Sequence, residues 1–285
     1  MTTIADVQKS VGIAQLNLGQ AQTQLSALAP TPPPPDTMPA PPGYTTKVLE
    51  DTFSGTILNG QLWNTFYGPG TRWDVHNLGS PYSSGGSNQS AYWAPQQITV
   101  NNGLTLSARR TVQGDVGFGK LPWVSGCITS HQPLPSTGWY VQIKAKRPDS
   151  TSGMWPADWL LPSSSQQELD GYEGGWPGSA PNSQGHSDTF AGSGQVQAVW
   201  PTDVDTTADY HIYGYQYNPA AGQFFVFFDY KSVYTFRGAL SPEAYYLFLQ
   251  LQVYSGASGQ WHTEVIPSTP NPSLLQYAEV QVWTP

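Results

Sequence analysis

The chain has 285 residues, of which 11% are charged and 13% aromatic, and its 29 glycines and 26 prolines imply frequent turns and few helices. A formal net charge of −8 with only 11 Lys and Arg excludes a nucleic-acid backbone as partner, since such binding rests on cations neutralising phosphates. The single cysteine, Cys127, excludes an intrachain disulfide and a Cys-based zinc site, and reads as a small buried hydrophobe.

At the N-terminus, apolar or small residues fall at Ile4, Val7, Val11, Ala14, Leu18, Ala21, Leu25 and Leu28, in alternating steps of three and four. This spacing predicts a coiled-coil helix over residues 1–29, opened by Thr3 and Asp6 as an N-terminal cap. Gly12 and Gly19 weaken it, each by about 1 kcal/mol, and a lone helix of that strength does not persist in water. The segment is therefore expected to oligomerise or dock. The other readings are an ordinary helix packed on the main domain and disorder. Residues 30–43 follow as a Pro-rich spacer, which forms neither helix nor central strand. The opening "MTTIADVQKSVGIAQ" lacks the basic and apolar regions of a secretory signal. No apolar run approaches the about 18 residues that span a bilayer, so no membrane insertion is expected.

From residue 44 to 285 the texture is that of one β-rich domain. "ITVNNGLTLSARR", "WYVQIKAKR", "YHIYGYQYNP", "GQFFVFFDYKSVYTF", "YYLFLQLQVY" and "AEVQVW" alternate with period two and are broken by Asn-Gly, Asn-Pro and Gly-rich turns. The pattern predicts an all-β sandwich or jelly roll.

Within it, "SSSQQELDGYEGGWPG" places Glu168, Asp170 and Glu173 within six positions of a charge-poor chain. On a regular strand Glu168 and Asp170 share a face while Glu173 points to the other. In a sandwich that would bury an unpaired charge. A β-bulge between Asp170 and Glu173 rotates Glu173 back beside its companions, and Gly171 supplies a positive-φ conformation if the bulge requires one. Such a cluster suits glycoside hydrolysis, which needs one ionised carboxylate as nucleophile and one protonated carboxyl as acid. Calcium binding and a solvated acidic patch are the competing uses.

At these residues, "ELDGYE", the sequence resembles glycoside hydrolase family 16, whose signature is Glu, aliphatic, Asp, aliphatic, a bulge residue, Glu. Further segments agree in the family's order: "LEDTFSGTILNGQLWN", "VSGCITS", "GWYVQIKAKRP", "SGMWPADWLLP", "DYHIYGYQYNPAAGQFFVFFDYKSVYTF" and "LLQYAEVQVW". The match covers roughly residues 47 to 284. The resemblance implies a β-jelly roll with a concave cleft and a retaining, endo-acting mechanism on β-linked glucans or galactans. By position it makes Glu168 the nucleophile, Asp170 its helper and Glu173 the acid/base. Gly171 departs from the aliphatic residue of the signature and is expected to loosen the strand. Thr52 and Gln276 stand where many members place acids for a structural calcium, so no metal is expected, and no cofactor.

Sugar sites pair flat aromatic rings with a few polar groups. Trp155 and Trp159, four apart on the strand that resembles the cleft floor, are the foremost platform candidates, with core packing as the alternative. By the same resemblance Trp261 is a candidate cleft wall, His186 a subsite histidine and Asn88 a sugar-binding amide. Trp73, Trp93, Trp139 and Trp176 read as packing residues.

A coiled coil, a proline spacer and a glycosidase-like domain together resemble a bacteriophage tail component that meets a host polysaccharide. The expected partners are the polysaccharide, other copies of the chain through the N-terminal helix, and other virion tail proteins, which would place the chain in the virion. The alternatives are a sugar-binding or structural tail module that kept the fold without turnover, and an intracellular bacterial enzyme or one released by a route other than a signal peptide.

Overall fold

The structure is a computed structural model that describes residues 38–65, 90–115, 121–162, 164, 167–178, 180–191, 194–254 and 262–285. The predicted coiled coil, most of the spacer, Asn88, Trp73 and Trp261 lie outside these residues.

In chain order the strands are β1 (Thr46–Asp51), β2 (Trp63–Asn64), β3 (Ala91–Trp93), β4 (Ile98–Val100), β5 (Leu104–Arg110) and β6 (Trp123–Ser125). They continue as β7 (Cys127–Ser130), β8 (Trp139–Lys146), β9 (Met154–Pro162), β10 (Gln167–Glu173), β11 (Gln184–Ala191) and β12 (Gly194–Pro201). The last are β13 (His211–Asn218), β14 (Gln223–Phe228), β15 (Lys231–Arg237), β16 (Tyr245–Val253) and β17 (Ser273–Thr284). Each alternating segment of the sequence forms strands, and "ITVNNGLTLSARR" forms β4 and β5 around a turn at Asn102, whose φ is 48°.

Among the described residues the strands make two sheets. One runs β15-β14-β13-β8-β17-β5-β6-β3, with β1 added along β17 and β4 along β5; the other runs β12-β11-β10-β9-β16-β7-β2. Their inner faces enclose a core that includes Val141, Ile143, Tyr213, Tyr215, Leu247, Leu249, Leu251, Val280 and Val282. This is the all-β jelly-roll sandwich that the period-two pattern predicts. Along β9 and β16 the opposite set of side chains, among them Ala157, Trp159, Leu161, Tyr246 and Phe248, forms a second apolar cluster with Trp93 and Cys127. That cluster lies on the outer face of the seven-stranded sheet, and burial there pushes the Cys127 thiol pKa up.

One charged pair crosses the interior. Arg147, just past β8 in one sheet, meets Asp158 of β9 in the other, both with fully buried side chains. Asp158 Oδ1 also accepts from the Tyr277 hydroxyl at 2.8 Å and Oδ2 from the Tyr215 hydroxyl at 2.9 Å. The guanidinium lies 3.8 Å from the Tyr213 ring centroid and 4.1 Å from that of Tyr172. Buried charges persist only when paired and hydrogen-bonded, and this pair ties the two sheets together directly behind β10.

Candidate active site

Strand β10 carries the bulge that the sequence requires. Against β11, Asp170 pairs with Asp188 and Glu173 with His186, so three steps on β10 match two on its neighbour. Against β9, Asp170 pairs with Trp159 and Tyr172 with Asp158. The extra residue puts Gly171 and Tyr172 consecutively on the core side, and Glu173 returns to the outer face with Glu168 and Asp170.

Gly171 has a different reason from the one expected. It is not at positive φ. A Cβ built on it would lie 2.3 Å from Cε1 of Tyr215, so glycine is required to make room for that ring. The expected loosening of the strand is corrected accordingly: the space of the missing side chain is filled by Tyr215, which is itself anchored on Asp158. Tyr172 is held by Arg147.

On the outer face, Glu173 is gripped from two sides. The Trp155 indole donates from Nε1 to Glu173 Oε1 at 2.9 Å, and His186 Nδ1 lies 2.8 Å from Oε2. Each donor is itself braced by a ring. His186 stacks on Trp176 with centroids 3.7 Å apart and planes 4° from parallel, and Trp155 stacks on His262 at 4.2 Å. Burial works against ionisation of Glu173, but the bond from His186 and that from Trp155 hold its carboxyl below the usual range. Asp170 is the reverse case. Burial, followed by the charges of Glu168, Glu173 and Asp188, raises its pKa well above the carboxylate range.

Of the residues singled out from the sequence, Glu168, Asp170, Glu173, Trp155, Trp159 and His186 are brought onto this one face. Trp159 stacks on Phe248 at 4.3 Å and is largely buried, serving as floor, whereas Trp155 is only partly buried. His186 is a buried residue of β11. Trp176, read from sequence as packing, belongs to the site as the ring under His186. Trp93 joins the apolar floor, while Trp139 is in the main core as expected.

Two further residues escaped the sequence reading. His262 has Nδ1 3.0 Å from the Gly174 carbonyl oxygen, and burial lowers its pKa to about 4, so it is a neutral brace for Trp155. Asp188 is a fourth carboxylate, directly across from Asp170. Its Oδ2 accepts from Gln195, whereas Oδ1 is buried with no partner among the described residues. Burial and the charge of Glu173 raise its pKa to about 6. The period-two spacing of His186 and Asp188 was the available signal for the latter.

The sign of the Asp188 effect on stability follows from that shift. A carboxyl raised from 3.8 to about 6 contributes stability that is complete below the unfolded value and lost as pH rises through the folded one. Asp188→Asn should therefore melt higher than the parent at pH 8, on the order of a few degrees, and at the same temperature as the parent at pH 4. Thermal melts at the two pH values check this; an equal gain at both, or a loss at pH 8, contradicts the electrostatic reading.

Known proteins share this architecture. The catalytic domain of laminarinase from Thermotoga maritima MSB8 superposes with a TM-score of 0.65 at 18% identity, over 84% of this chain and 98% of that one. Endo-beta-1,3-glucanase from Pyrococcus furiosus gives 0.65 at 20% identity, over 90% and 98%. At these identities the likeness is one of fold. Endo-1,3-1,4-beta-glycanase ExsH of Rhizobium meliloti (strain 1021) is 31% identical over 144 residues, 46% of this chain and 28% of that protein's length. The model of glycosyl hydrolases family 16 matches residues 85–269, well over half of the sequence. The chain belongs to glycosyl hydrolase family 16.

Proposed function

We propose that the chain is a retaining, endo-acting hydrolase of a β-linked glucan or galactan-type polysaccharide. The observation that carries the reading is the bulge in β10, which gathers Glu168, Asp170 and Glu173 on one open face beside the Trp155 ring. The names of the similar proteins, which are β-1,3- and β-1,3-1,4-glucan enzymes, favour a β-glucan.

In this reading Glu168 attacks the anomeric carbon as a carboxylate while Glu173 gives its proton to the departing glycosidic oxygen. A glycosyl ester on Glu168 results. Glu173, now ionised, takes a proton from water as that water attacks the same carbon and breaks the ester, which restores both carboxyls. Protonated Asp170 donates a hydrogen bond toward the charge on Glu168 and steadies it before and after attack. In the free protein Glu173 is ionised between two donors, so it has to gain a proton when a sugar displaces water around it. Trp155 and Trp159 supply flat surfaces for the sugar's C–H faces, His186 and Trp176 orient Glu173, and Asn88 and Trp261 complete the substrate contacts in the expectation drawn from the family.

Glu168→Gln and Glu173→Gln should each lower the rate of reducing-end release from laminarin or mixed-linkage β-glucan, Glu173→Gln by about 10²–10⁴-fold, with circular dichroism unchanged. Parental activity in the Glu168→Gln protein sinks the assignment and leaves the reading of a non-catalytic sugar-binding module.

The stalk belongs to the same proposal. The three-four spacing of residues 1–29 and the proline spacer support multivalent display of this domain on a phage tail, where repeated clefts gain avidity on a repetitive host polymer. Sedimentation should then show the full chain as an oligomer and a chain beginning at Tyr44 as a monomer; equal masses remove the stalk.

A further inference from the structure

The sheet face opposite the catalytic one also carries a built aromatic site. Along β8, Trp139, Val141 and Ile143 point into the core, so Tyr140 and Gln142 point outward from the ten-stranded sheet. There they line a cavity of about 550 Å³ with Gln216 of β13, Phe227 of β14, Tyr44 and Tyr230, closed on one side by residues Pro39 to Pro42. The volume falls within the about 300–1,000 Å³ typical of small-ligand sites.

The chemistry of this lining is selective. Every lining residue is uncharged, on a chain with a formal net charge of −8, which suits a neutral ligand. Tyr140 leans across the bare backbone of Gly214, where a Cβ would meet its hydroxyl oxygen at 2.4 Å, so glycine on β13 is what lets the ring lie against the sheet. Phe227 and Tyr44 flank that ring, each with its centroid 5.5 Å away. Gln216 places an amide among the rings, while the buried Gln142 closes the base by donating to the Pro39 carbonyl oxygen at 2.9 Å. The rim is the least expected part. The turn between β14 and β15 has positive φ at both Asp229 (46°) and Tyr230 (66°), positions that Asn and Gly fill at least cost. The tyrosine held there is 53% exposed, so an unfavourable backbone position carries a ring that faces solvent over the cavity.

We infer that this cavity is a second glycan-binding site, which holds a neutral polysaccharide segment by stacking pyranose faces on the partly exposed Phe227 and the exposed Tyr230 and bonding hydroxyls to the Gln216 amide. It goes beyond the catalytic reading, because it binds without cleaving and lies on the other face of the sandwich. It lets one domain hold a polymer strand while the catalytic face works on another.

The test is retardation of the full-length Glu168→Gln protein in native gels containing laminarin or mixed-linkage β-glucan, compared with the same protein carrying Tyr230→Asn or Gln216→Ala. Asparagine suits the positive φ at 230, so that variant keeps or gains stability and separates binding from folding. The expected result is at least about fivefold weaker retardation in both, with hydrolysis of a short soluble oligosaccharide by the corresponding single variants, Glu168 intact, within about twofold of the parent. Unchanged retardation in both variants overturns the site, as does absence of retardation of the Glu168→Gln protein by either polymer. So does an experimental structure of the full chain in which residues preceding Met38 fill the cavity. Failure of the catalytic reading is read separately, from activity of the Glu168→Gln protein on the oligosaccharide.

Discussion

The arrangement depends on one buried charge pair. Arg147 and Asp158 join the two sheets with no exposed surface on either side chain, and the groups that satisfy them are the same groups that shape β10. Tyr215 donates to Asp158 and its ring occupies the place a side chain at 171 would need; Tyr172 covers the guanidinium. With both bulge residues fastened to the interior, Glu173 has only the outer face left to occupy. Removing one partner of such a pair typically costs about 3–5 kcal/mol, so the site's geometry and a sizeable part of the domain's stability rest on the same atoms.

The consequence on the outer face is electrostatic. Carboxylates confined to one side of one strand cannot all ionise cheaply, and the structure resolves the conflict by giving them different surroundings. Glu173 is offered donors by His186 and Trp155, whereas Asp170 has only burial and like charges, and Asp188 opposite is likewise raised. Environment thus separates groups of nearly equal intrinsic acidity, lowering Glu173 and raising Asp170 and Asp188.

Much of this was legible in the sequence because it is local. Strand identity follows from alternation within each segment, and the bulge follows from three acids that a sandwich cannot otherwise place on one side. What was not legible depends on contacts between distant positions. Nothing near residue 171 announces that Tyr215 fills its space, and nothing near 155 announces His262 stacked beneath it. Trp176 reads like any packing tryptophan until β11 brings His186 onto its face. Asp188 lies in plain view two places after His186, but its importance comes from facing Asp170 across the ladder.

The central claim is that folding raises the pKa of Asp170 and lowers that of Glu173. Carboxyl carbon-13 NMR titration of the free protein, with Asp170→Asn and Glu173→Gln used to assign the resonances, measures this without any substrate. The account predicts that Glu173 titrates below the usual glutamate range and Asp170 above the usual aspartate range. Glu173 titrating above Asp170, or both titrating at ordinary values, would contradict it.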